Sequence, residues 1–219
     1  DHKKIAEASG GLFDAIGGFV ASTGKVRLGG KEVGDAPPER RARLGLGRSF
    51  QDAKLFPSLT VGEVLACAFE RHIRRGAGGV VSSALGMPWV RRSERAIKAR
   101  VDGLIDVMGL GAFRDKFVSE LSTGSRRIVD LAVILAHDPA VLLLDEPSSG
   151  IAQRETEALG ALLLRVRSET GTAMLIIEHD MPLVRSVSDR ILALEMGAVL
   201  TIGEPEAVLN DPRLVAAYL

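Results

Sequence analysis

Apolar positions change their spacing along the chain, and each change predicts a different kind of element. Near the start, "LFDAIGGF" (12–19) carries apolar residues at helical intervals and closes on a Gly-Gly pair, which predicts a short helix. "KVRLGGKEV" (25–33) alternates around Gly29-Gly30 and predicts a β-hairpin. "PPERRARLGL" (37–46) predicts a basic helix opened by proline. From about Thr60 to Val118 the spacing is helical, with no convincing strand. From Leu121 onward strands and helices alternate. "AVLLLDE" (140–146) is followed by a helix with Leu159, Leu162, Leu163 and Val166 on one face, then by "AMLIIE" (173–178). Near-continuous apolar strands between amphipathic helices predict a parallel sheet buried on both faces. The expected architecture is an α/β core over residues 1–52 and 119–219, interrupted by a helical subdomain over 53–118.

Composition adds little to this picture. In 219 residues, 46% apolar content is enough for a sizeable core. The 28 basic residues balance the 28 acidic ones, so no nucleic-acid partner is expected. One cysteine, Cys67, cannot form an internal disulfide, and its setting "VGEVLACAFERHI" predicts a buried helical thiol in a reducing compartment. No apolar run is long enough to span a bilayer. The basic runs "ERHIRRG" and "WVRRSERAIKAR" read first as solvated helix faces, and second as a surface for anionic lipid headgroups.

The segment richest in candidate chemistry is "AVLLLDEPSSG" (140–150). Its apolar strand delivers Asp145 and Glu146 at the C-terminal end, where open α/β sheets bind ligands. Two adjacent carboxylates there can divide labour. Asp145 can hold a magnesium ion through water, while Glu146 orients or deprotonates an attacking water. An acidic pair alone more often just closes a strand, but an apolar strand ending in "DEP" is much rarer by chance. Just upstream, "ELSTGSRRIVDLAVILAHDP" places Ser122 as N-cap and puts Ile128, Leu131, Ala132 and Leu135 on one helical stripe. That helix begins in a hydroxyl- and glycine-rich turn suited to an anion. Taken alone, it is an ordinary capped core helix.

Together these segments are far more specific. "LSTGSRR…LAVILAHDPAVLLLDEP" resembles the signature motif and Walker B strand of ATP-binding cassette (ABC) ATPases. "GRSFQ", ending at Gln51, resembles the Q-loop, and "LIIEHDM" resembles the switch strand with its histidine at His179. The resemblance runs from about Leu12 to Leu219. "RSFQDAKLFPSLTVGEVL", "EHDMPLVRSVSDRILAL" and "GEPEAVLNDPRLVAAYL" are most similar to ATPases of branched-chain amino acid importers. The resemblance implies a P-loop NTPase-like fold with a parallel sheet, an N-terminal β-hairpin region and an inserted helical subdomain. It implies ATP and Mg2+ as cofactors, with Asp145 and Gln51 at the metal and Glu146, His179 and Gln51 as catalytic residues. Ser122, Thr123, Gly124 and Ser125 would face ATP held by a second ATPase subunit. Transmembrane permease subunits would dock on the helical subdomain, placing the protein peripherally at the cytoplasmic face of a membrane.

The departures from the family pattern are equally specific. Thr123 stands where glycine is usual, Ser125 where glutamine is common, and Ala152 where many members carry Asp or Asn in the D-loop. "STGKV" (22–26) is no phosphate loop: the required first glycine falls on Phe19, and Val26 offers no hydroxyl. The residues before Leu12, "DHKKIAEASGG", contain no Gly-Lys-Ser/Thr, and the aromatic that stacks on adenine is also missing from them. Two readings follow. In the favoured one, the ATPase polypeptide is longer than this chain. In the other, the protein is a degenerate, non-catalytic ABC-like regulatory or interaction module. A DNA-repair or chromosome ATPase is disfavoured, because the stretch from Gln51 to Leu121 is short and lacks sustained heptads.

The favoured reading predicts a missing β-strand, phosphate loop and helix start of about 30 residues before Leu12, or about 3 kDa. Intact-mass measurement should therefore exceed 23.3 kDa by that amount. A mass of 23.3 kDa, with "EASGGLFDAI" recovered as one continuous peptide, would overturn it.

Overall fold

The computed structural model describes residues 11–50, 55–70 and 88–218. They fall into two units, one holding the described residues up to Phe50 and from Ala140 onward, the other those from Leu55 to Pro139. The division lies at Pro139, not at the expected 118/119, so the Ser122-capped helix belongs with the helical unit.

In the first unit, residues 11–17 are helical and bury Phe13 completely. A hairpin follows, with β1 (Arg27–Leu28) antiparallel to β2 (Lys31–Glu32). Gly29 and Gly30 make its turn with φ of 55° and 78°, values that need glycine. The hairpin closes a small apolar cluster of Leu28, Val33 and Ala36 against Val26, Leu46 and Val141. The main sheet has three parallel strands, with β4 (Val141–Asp145) between β3 (Leu46–Arg48) and β5 (Ala173–Ile177). Val141 pairs with Leu46 on one side and Ala173 on the other, and Asp145 pairs with Ile177. Leu142, Leu143 and Leu144 are fully buried. Helix Gln153–Thr170 buries Leu159, Leu163 and Val166 and packs on helix Met181–Val187. Gly160 allows that approach, because a Cβ there would meet Leu183 Cδ1 at 3.0 Å. An antiparallel ribbon of β6 (Ile191–Glu195) and β7 (Ala198–Gly203) precedes helices Pro205–Leu209 and Pro212–Tyr218.

The expectation of a sheet buried on both faces holds for β4 but not for β5. β5 is an edge of the three-stranded sheet, and Leu175 is exposed. A strand paired on one side only is covered less than a central one, whatever its apolar content.

In the helical unit, helix Val61–Phe69 starts at a capping box, Thr60 Oγ1 accepting from the Glu63 N–H while the Glu63 carboxylate accepts from the Thr60 N–H. This helix packs on helices Pro88–Val107 and Thr123–Leu135. The Arg100 guanidinium bonds both carboxylate oxygens of Asp138, at 2.7 and 2.5 Å, just beyond the end of the last helix. Cys67 corrects the sequence reading: its side chain is exposed. Val61, Val64, Leu65 and Phe69 define the buried face, and Cys67 falls outside that stripe.

Arg41, within the basic helix Pro38–Arg43, is 2% exposed and has no carboxylate partner among the described residues. Its guanidinium instead donates to four carbonyls, those of Ala15, Ile16, Gly34 and Ala36, at 2.6–2.8 Å. Ala15 and Ile16 lie in the last turn of the helical stretch 11–17, where carbonyl dipoles favour a cation. Gly18, at φ +80°, leaves the space, since a Cβ would come within 2.9 Å of Arg41 Nε. Arg41→Met would strand these carbonyls and should cost on the order of 3 kcal/mol, about 6–12 °C in Tm. Arg41→Lys should recover part of the loss in thermal melts. A melting curve unchanged in Arg41→Met would overturn this account.

Candidate nucleotide site

The end of β4 is held on both sides. The Asp145 N–H donates to Ser49 Oγ at 3.2 Å, and the Glu146 N–H donates to the Ile177 carbonyl at 2.9 Å. Glu146 then leaves the strand with φ +43°, a left-handed conformation rarely adopted by non-glycine residues. Such strain persists only where surroundings over-determine it, and it clusters at functional sites. The Ser149 N–H closes the turn on the Glu146 carbonyl at 3.0 Å.

Glu146 and His179, expected from the sequence at one sheet edge, come close to each other here. His179 Nδ1 lies 3.9 Å from Glu146 Oε1, with the imidazole largely exposed and the carboxylate partly covered. That separation is too long for a direct hydrogen bond, so each group keeps capacity for a third oxygen. Burial pushes the Asp145 carboxyl above its ordinary range, and the neighbouring Glu146 charge pushes the same way, while Arg48 opposes both. A carboxylate whose charged form is disfavoured in this way gains from a nearby cation.

Arg48, Asp14, Ser49 and Glu178 also belong to this region, and the sequence reading missed all four. Arg48 pairs with Asp14 at 2.7 Å and lies 5.1 and 5.4 Å from the ring centres of Phe19 and Phe50. The two rings meet edge to face at 6.2 Å. One signal for Arg48 was available: a charged residue inside a short strand, three positions before Gln51, has to be paired. Gln51 itself lies outside the described residues. So does nearly all of "ERHIRRG".

In the helical unit, Ser122 is the N-cap of helix Thr123–Leu135, its Oγ accepting from the Ser125 N–H at 3.2 Å. Ser122 Oγ and Ser125 Oγ are 3.1 Å apart. Thr123 and Gly124 have N–H groups with no intrahelical acceptor, and no acidic residue sits in the first turn. These are the features of an anion-binding helix start. Arg126 bonds the Val118 and Ser119 carbonyls at 3.2 and 2.9 Å and so anchors the loop that leads into it.

For cofactor fit, no group of three or more His, Cys, Asp or Glu side chains could hold a metal by itself among the described residues. Mg2+ is normally bound through one or two carboxylates plus substrate phosphates, and Asp145 beside Glu146 suits that mode.

A parallel sheet with an Asp-Glu pair near a histidine turn in one unit, and a serine-capped helix start in the other, are the features expected of an ABC-type ATPase domain. Residues 11–149 match the ABC transporter family, and the chain belongs to it. It is 35% identical over 209 residues to the high-affinity branched-chain amino acid transport ATP-binding protein BraF of Pseudomonas aeruginosa, covering 95% of this chain and 81% of that protein. It is 33% identical to LivG of Escherichia coli, a protein of the same description, with the same coverage. Among solved structures it resembles CbiO1 of Clostridium perfringens, part of the ABC transporter complex CbiONQ, with TM-score 0.75 and 25% identity, over 95% of this chain and 77% of that one. ATPases of this family bind nucleotide, work with transmembrane permease subunits and dimerise. No helix among the described residues is long and apolar enough to cross a membrane.

Asp130, in the middle of the anion-turn helix, provides a test of these electrostatics. Burial raises its carboxyl to about 6 from 3.8, with Arg127 opposing. The folded state then holds this proton more tightly than the unfolded chain, so stability associated with Asp130 is present at low pH and lost as pH rises between these values. Asp130→Asn should match the wild type near pH 4 and become more stable by on the order of 1–2 kcal/mol above pH 6. Denaturant titrations at several pH values check it. A variant advantage that shrinks with rising pH would refute it.

Proposed function

We propose that this chain is the ATP-hydrolysing subunit of an importer for branched-chain amino acids, acting as a dimer bound peripherally to transmembrane permease subunits at the cytoplasmic face of a membrane. The observation that carries the catalytic reading is the Glu146–His179 pair at the end of the buried strand β4. Likeness to BraF and LivG carries the solute class.

Bound ATP with Mg2+ supplies the electrophilic γ-phosphoryl group and the positive charge that offsets its oxygens. Asp145 would hold the metal through water, with Gln51 as a second contact. Glu146 accepts the proton of the attacking water. Its partial cover and strained backbone hold the carboxylate in one place instead of letting it sweep through solvent. His179, mostly exposed, is free to hydrogen-bond a phosphate oxygen while remaining within reach of Glu146. Ser122, Thr123, Gly124 and Ser125 face the nucleotide of the second subunit, through the N–H groups and hydroxyls of the helix start. Thr123 in place of glycine narrows the approach to that turn but leaves the backbone amides in place.

The decisive variant is Glu146→Gln in the full-length protein assembled with its permease. The amide cannot accept a proton, so ATP turnover and leucine uptake should both fall at least about 100-fold while nucleotide binding is retained. Undiminished turnover in the variant would remove Glu146 from this role. Absence of nucleotide binding by the wild-type complex would instead favour the non-catalytic module.

A further inference from the structure

Glu178 follows β5 directly and has no role in the reading above, yet its carboxylate joins the two turns that carry Glu146 and His179. Oε1 accepts the Ser148 N–H at 2.7 Å. Oε2 accepts the N–H of His179 at 3.1 Å and that of Asp180 at 3.4 Å. Asp180 in turn caps helix Met181–Val187, accepting from the Leu183 N–H at 2.9 Å. Ser148 is 8% exposed, so its N–H needs a protein partner, and the Glu178 carboxylate supplies one. The turn that starts at Glu146 is thus attached to the β5 end twice: by the Glu146 N–H to Ile177, and by the Ser148 N–H to Glu178.

We infer that Glu178 is a positioning residue for ATP hydrolysis: its two carboxylate oxygens clamp the Glu146–Ser149 turn to the His179 turn and set the spacing between the general base and the switch histidine. The geometry gives each oxygen a separate task. A carboxylate can accept on both sides, whereas a glutamine of the same shape offers one acceptor and presents an NH2 group to the other set of N–H donors. The clamp therefore requires the acid and not merely its volume. Charge-assisted bonds to backbone N–H groups are also the stronger kind, which suits a turn whose first residue is strained.

This inference rests on the ATPase reading, so its test has one arm that needs catalysis and one that does not. In the full-length protein with its permease, Glu178→Gln should lower kcat by about 10- to 50-fold with KM for ATP within about twofold, because the binding groups stay in place. A purely structural role would instead lower the melting temperature, and the isosteric Gln would restore both stability and turnover relative to Glu178→Ala. In the second arm, hydrogen exchange of the Ser148, His179 and Asp180 amides, followed by NMR, should quicken by about tenfold or more on at least one side of the clamp in Glu178→Gln, because the single amide oxygen can serve only one set of donors. Unchanged exchange at Ser148, His179 and Asp180 together overturns the inference whatever the kinetics. So does faster exchange with kcat within threefold of the wild type, or a loss confined to KM. A wild-type complex that hydrolyses no ATP defeats the ATPase reading, while the exchange result still decides whether the clamp exists.

Discussion

Every candidate group in the α/β unit hangs from the hydrogen bonding of β4 between two parallel neighbours. A five-residue strand paired on both sides has no freedom of register, because a one-residue slip would turn its side chains to the opposite faces and break both ladders at once. Leu142, Leu143 and Leu144 are buried on both faces and anchor the strand, each contributing about 1.5–3 kcal/mol relative to exposure, and a slip would draw the Asp145 carboxylate into one of their buried positions. Asp145 and Glu146 inherit their positions from this arrangement. The strand ends where the buried run ends, and the first residue past it turns through a left-handed conformation into the loop.

Charge is handled in two different ways in the same unit. Arg41 is buried with no acid beside it among the described residues, and carbonyl dipoles from a helix end and a loop accept four of its five N–H groups. That arrangement suits a permanent cation whose task is to hold chain segments together. At the end of β4 the opposite holds. Asp145 and Glu146 are crowded, partly buried and mutually repulsive, with Arg48 shared between Asp14, two rings and the field at Asp145. Such a site is left with an appetite for a cation, as a metal-dependent phosphate site requires.

Sequence periodicity made much of this legible. The hairpin at Gly29-Gly30, the helix start at Ser122 and the buried strand 141–144 all rest on local rules: positive φ at glycine, a side-chain oxygen capping N–H groups, and an unbroken apolar run. The order of strands and motifs along the chain put Glu146 and His179 at one sheet edge, though not at any particular distance. Arg48, Asp14, Ser49 and Glu178 escaped notice because a single charged or hydroxyl residue in a strand or loop has no periodicity to betray it.

Local spacing could not decide what depends on neighbours distant in sequence. Cys67 sits in a helix that is apolar nearly all round, and only the packing of Val61, Val64, Leu65 and Phe69 selected which side would be covered. β5 is as apolar as β4 yet remains partly exposed, because coverage depends on what lies beside a strand. Within the predicted basic helix nothing set Arg41 apart from its basic neighbours until the end of a helix more than twenty residues upstream closed around it. The sequence by itself thus determined which elements form and where the reactive residues lie along them, since those follow from short-range sterics and hydrogen bonding. The tertiary structure alone decided the 3.9 Å approach of His179 to Glu146 and the clamp at Glu178. Both depend on side chains meeting across separate turns, and that distance is set by the packing of the sheet.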